Sequence, residues 1–244
     1  FLVPGKNVLA IQGMNATTSE VDFLLRPQLT ASTSLSNQVS WYITQPTPGS
    51  ANTSVSDDIG PFVTSMSHAP NIPADQDDIT VTATVSQKFN PVDSVTLHYR
   101  VMYQAEKSMT MFDDGLHGDG VAGDDIWGAT IPANASSPGH MVRYYVTARD
   151  VASHTSRWPL FENASKSPKY HGTVIADPAS NGQLPTIKWF TQNPSAAQTV
   201  SGTRASLFHN GDFYDNVFVR LRGSAGQRGN RSLPNLKFDF NRGY

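Results

Sequence analysis

The chain has 244 residues, with 18 basic and 20 acidic side chains, a formal net charge of −2, 18 glycines, 16 prolines and no cysteine. A charge so near zero sets up no field to attract nucleic acid or an anionic membrane, and the lack of cysteine excludes a disulfide framework, a thiolate metal site and a cysteine nucleophile. No stretch approaches the roughly 20 apolar residues of a membrane helix, and no charged, apolar and small-residue series marks a signal peptide.

The chain opens on Phe1-Leu2-Val3-Pro4-Gly5-Lys6-Asn7-Val8-Leu9-Ala10-Ile11, which reads as a turn and strand of something already folded, and it has no initiating Met. It stops at Asn241-Arg242-Gly243-Tyr244, directly after another strand. The expectation is a fragment truncated at both ends, taken from a secreted or cell-surface protein. A polar, proline-bearing seam lies at Thr44 to Asn52 and runs on through a Ser/Asp-rich stretch to Gly60.

Beyond that seam, apolar residues alternate with polar ones at the period of a half-buried strand. Ile79, Val81, Ala83 and Val85 alternate with threonines, and Val95, Leu97, Tyr99 and Val101 with Thr96, His98 and Arg100. Val142, Tyr144, Val146 and Ala148 alternate with Arg143, Tyr145, Thr147 and Arg149, which are expected to face water. Short strands between Pro, Gly, Asn and Asp clusters predict a β-sandwich of the immunoglobulin-like kind. A second seam lies at Asp177 to Gly182. The predicted fold class is therefore mainly β, with three parts at 1–52, 53–178 and 179–244.

The most concentrated chemistry runs from Met111 to Gly128, where Asp113, Asp114, Asp119, Asp124 and Asp125 are separated by four glycines. Two readings stand. Short carboxylates on a glycine-rich loop can converge on a hard cation such as Ca2+, which takes six to eight oxygens. Alternatively, the same aspartates can accept backbone N–H bonds and hold tight turns. His117 reads as a loop residue.

Further along, Val217, Val219 and Leu221 form a strand that runs into Arg222-Gly223, with Gly226 and Gly229 spacing a loop that carries Arg228 and Arg231. Such a loop can turn backbone amides toward phosphate, with Arg222 and Lys237 supplying charge, or it can be a solvated hairpin loop. Ser206, His209 and Asp212 have the residue types of a hydrolase triad but lie on one short turn. Trp41, Trp127, Trp158 and Trp189 read as core and seam anchors. Sequons start at Asn15, Asn52, Asn134, Asn163 and Asn230 and are read as a product of composition.

Three resemblances add to this. Pro4 to Gly13 with Asp22 to Leu29, followed by Pro46 to Asn52, resembles the end of a galactose-binding-like jelly roll and its seam. The acidic loop resembles one found in Ig-like domains beside CotH domains. Ser206 to Gly223, with Leu236-Lys237-Phe238-Asp239-Phe240-Asn241, resembles the opening of the CotH kinase family, bacterial spore-coat and surface proteins with an atypical kinase fold. The family places a Lys-Lys pair where this chain has Pro234-Asn235. The resemblance implies a middle Ig-like sandwich flanked by a truncated jelly roll and the first strands of an α+β kinase-like domain. It also implies ATP and Mg2+ only in a complete CotH-like domain, because the family's metal-binding carboxylates lie beyond this segment.

The expected function is a non-catalytic spacer or adhesive module. The alternatives are part of a secreted kinase's nucleotide lobe and a carbohydrate-binding surface protein. Expected partners are other domains of the same chain and a cell-surface protein or glycan, with no nucleic acid and no membrane span.

Overall fold

The computed structural model describes residues 42–43, 51, 55–56, 58–161, 163–180, 185–223 and 235–240. The segment read as a jelly-roll end lies outside these apart from residues 42–43 and 51. The described residues form one compact unit.

In chain order the strands are β1 (Tyr42–Ile43), β2 (Val55–Ser56), β3 (Phe62–Ala69), β4 (Ile79–Ser86), β5 (Val92–Val101), β6 (Lys107–Met111), β7 (Ile126–Ile131), β8 (Met141–Asp150), β9 (Thr155–Trp158), β10 (His171–Val174), β11 (Lys188–Phe190), β12 (Thr203–His209), β13 (Asp212–Leu221) and β14 (Leu236–Asp239). A short α-helix, α1 (Pro194–Ala197), is capped by Asn193, whose Oδ1 accepts the Ala196 N–H at 3.0 Å. The fold is mainly β, as the alternation predicts.

Two antiparallel sheets make the sandwich. One has the order β3-β4-β7 and the other β10-β8-β5-β6, with β9 also pairing β8. Three strands in one sheet thus accompany five in the other. Ile79, Val81, Ala83 and Val85 from the first sheet and Val95, Leu97, Tyr99 and Val101 from the second are all buried in one core with Met111, Ile131 and Val146. Each aliphatic side chain removed from water in this way contributes about 1.5–3 kcal/mol.

A third antiparallel sheet, β11-β12-β13-β14, buries Ala205, Leu207, Val217 and Val219 beneath α1. It packs on the open end of the second sheet, where Met141, Val174 and Phe208 form a shared apolar cluster with Met102, Tyr103, Phe190 and Phe213. Gly172 on β10 makes this approach feasible: a Cβ there would lie 2.7 Å from the Val142 carbonyl and 2.8 Å from the Phe213 ring.

The close packing overturns one expectation. The alternation along β8 puts Arg143 on the water face, yet it is only 7% exposed. The pattern breaks at the start of the strand because the third sheet covers the face that would otherwise meet solvent.

Candidate functional site

The acidic loop joins β6 to β7, and Phe112 and Gly128 form an isolated antiparallel bridge at its base. Gly128 must be glycine, since a Cβ would sit 2.3 Å from the His117 carbonyl oxygen. Asp119 is 1% exposed, and its Oδ2 accepts the N–H of Asp114 at 2.6 Å and of Gly115 at 2.7 Å, while Oδ1 accepts that of His117 at 2.9 Å. Burial works against its charge, but these amides outweigh it and hold the carboxyl below its ordinary pKa.

The other aspartates are engaged similarly. Asp113 accepts the N–H groups of Gly123, Asp124 and Asp125. Asp124 accepts those of Val121 and Ile126. Asp114 accepts the Leu116 N–H and lies 2.9 Å from the His117 ring Nδ1, and these two contacts, His117 first, lower its pKa. Asp125 takes a positive φ of 67° and gives its carbonyl to the Val85 N–H. Backbone hydrogen bonding thus accounts for four of the five carboxylates, the pattern expected of turn formers.

A further group of possible metal ligands lies elsewhere. Among the described residues, Asp58, Asp150 and His154 are the group of three or more acidic or histidine side chains whose ligand atoms all fall within 4.8 Å of one another. Asp150 is 1% exposed at the end of β8, its Oδ2 is 3.1 Å from His154 Nδ1, and the Asn90 side-chain amide donates to both Asp150 and Asp58. Burial opposes the Asp150 charge, and bonds from His154 and Asn90 reverse this, leaving its pKa lowered. Sequence reasoning missed this group because Asp58 lies ahead of β3, far along the chain from the turn after β8 that holds Asp150 and His154. The one available signal was the i, i+4 spacing of Asp150 and His154 across a tight turn.

It also missed the junction of the sandwich with the third sheet. Asp215 on β13, 5% exposed, accepts the backbone N–H groups of Lys169 and Tyr170, each at 2.9 Å, and the Ser206 hydroxyl at 2.8 Å. Arg143 donates to the Met102 carbonyl at 2.8 Å, and its guanidinium lies 4.9 Å from the ring centres of both Tyr103 and Tyr170.

The phosphate-binding residues read from sequence are less gathered. Gly226 and Gly229 lie outside the described residues. Gly223 takes a φ of 106°, and the Arg222 N–H closes onto the Asn235 carbonyl. Lys237 on β14 places its Nζ 2.8 Å from Asp239 Oδ1. The triad residue types do not converge: the Ser206 hydroxyl goes to Asp215, while His209 Nδ1 lies 3.2 Å from the Thr186 carbonyl.

No family model matches the chain, and no curated protein matches it.

Proposed function

We propose that this chain is a structural module of an exported multidomain protein, in which the sandwich acts as a rigid spacer that sets the orientation of the third sheet. One observation carries the reading. Asp215 lies on the third sheet, yet two of its three hydrogen-bond donors are amides of the segment leading into β10. A buried carboxylate held in this way fixes two sheets at a defined angle, because any rotation would strand its charge without donors. The acidic loop serves the same end, with carboxylates holding a long hairpin connection in shape. In this reading the sheet formed by β11 to β14 is the start of a CotH-like domain, and the module's partners are its neighbours in the same chain.

Rigidity at the junction can be measured directly. With no native cysteine, Thr110→Cys on β6 and Gln198→Cys after α1 can be spin-labelled cleanly, both positions being exposed. Pulsed electron–electron resonance should give one narrow distance distribution. A broad or bimodal distribution would show a hinge, and the spacer reading would fall.

A further inference from the structure

We infer that the cavity between the sandwich and the third sheet is a binding site for an oxyanion group. The cavity holds about 260 Å3 and is lined by four cationic side chains, Arg100, Arg143, Lys169 and Arg204, against one carboxylate, Asp215. Four minus one leaves an excess of three positive charges at one place in a chain whose net charge is −2. Asp215 is poorly placed to offset them. Its oxygens already accept two backbone amides and the Ser206 hydroxyl, and Arg143 comes no nearer to it than an Nη1–Oδ1 distance of 3.9 Å.

Arg100 spends its Nε and one Nη on the Tyr103 and Gln104 carbonyls, whereas Arg143 and Arg204 are less fully engaged. The Arg143 side chain is 8% exposed, and its Nε–H is buried without an acceptor. An unpaired donor on a buried charge costs free energy that a bound anion would recover. Arg204 uses one Nη on the Asn216 carbonyl, and the Lys169 ammonium lies over the Phe161 and Tyr170 rings at 5.6 and 5.4 Å. Burial lowers the pKa of both Arg143 and Arg204, as expected of cations short of negative partners.

Guanidinium forks match the oxygens of a carboxylate, sulfate or phosphate. The volume lies just below the roughly 300–1,000 Å3 of small-molecule pockets, which suits one oxyanion with a small body attached. Its source is either a free inorganic anion or the acidic group of a sugar. Occupancy would join Arg143 and Lys169 of the sandwich side to Arg204 of the third sheet.

The test uses the whole chain at fixed ionic strength, with sulfate, phosphate, glucuronate and neutral glucose as probes, by calorimetry and thermal unfolding. Oxyanions should bind and raise Tm with concentration, whereas glucose should not. Glucuronate binding well above inorganic anions marks an acidic sugar as the source, and the reverse marks a free anion. Lys169→Gln with Arg204→Gln should weaken binding at least tenfold while the ligand-free Tm stays close to that of the parent chain. Arg143→Gln is the less informative variant because it can unfold the junction. Absence of binding at millimolar oxyanion, or equal binding by the Lys169→Gln, Arg204→Gln chain, would overturn the inference.

Discussion

Arg143 and Asp215 face each other across the junction at 3.9 Å, the first on the sandwich strand β8 and the second on β13 of the neighbouring sheet. Both are buried, so the pair lies in a low-dielectric layer where an unmatched charge is costly.

Removing the carboxylate should therefore destabilise the chain. Asp215→Ala leaves two amides and a hydroxyl short of an acceptor and Arg143 without its nearest countercharge, and a loss of about 3–5 kcal/mol is expected in denaturant unfolding. Ser206→Ala removes one neutral donor and should cost about 1 kcal/mol. Equal effects from the two variants would mean that Asp215 is not the hub of the junction.

Gly172 allows a separate check on the same interface. Gly172→Ala forces a methyl against the Val142 carbonyl and the Phe213 ring, and overpacking of this kind costs about 1–3 kcal/mol. Phe213→Leu in the same chain should recover part of the loss, since it clears the ring that the methyl meets. No recovery would place the strain in the β10 backbone alone.

In the acidic loop, Asp119→Ala should lower Tm by several degrees in chelator and in millimolar calcium alike, because three backbone amides lose their acceptor. A wild-type Tm that climbs with calcium, and ceases to do so in the Asp114→Asn, Asp119→Asn chain, would instead give the loop a cation to hold.

Mild acid should weaken the fold through histidine. His68 Nε2 faces the Asn71 carbonyl at 3.2 Å and so carries the proton, leaving Nδ1 to accept the Tyr144 hydroxyl at 2.6 Å. Burial lowers the pKa of His68, and likewise of His98 and His171, below the ordinary 6.5. The unfolded chain therefore binds more protons as pH falls, so this stability is complete above about pH 6.5 and drains away toward the lower folded values. Unfolding free energy should drop between about pH 7 and pH 5, and His68→Gln should flatten that slope. An unchanged slope would exclude His68 as a contributor.

The sequence made the sandwich legible because each central strand buries one face, and alternation reports that directly. It was silent about the junction for a physical reason. Period two says which side chains leave water, not what covers them, so Arg143 reads as solvated unless a second sheet is known to lie over it. The acidic loop was visible as an unusual cluster, but whether its carboxylates turn inward to amides or outward to an ion depends on backbone geometry that spacing does not encode. Asp58, Asn90, Asp150 and His154 meet only because three connections end at the same edge of the fold.

The cluster of Met141, Val174 and Phe208 bears on where this chain can be cut. The polar stretch at Asp177 to Gly182 looks like the natural place to sever the sandwich from the third sheet. A scissile point there would nonetheless peel Phe208 and Phe213 away and leave Met102, Met141 and Val174 bare on the excised piece. Such a fragment would be expected to stick to itself, and a shorter one starting at β11 would lose its foundation. The polar link in the covalent chain and the line along which the fold divides are different places, and protein-engineering cuts should respect the second.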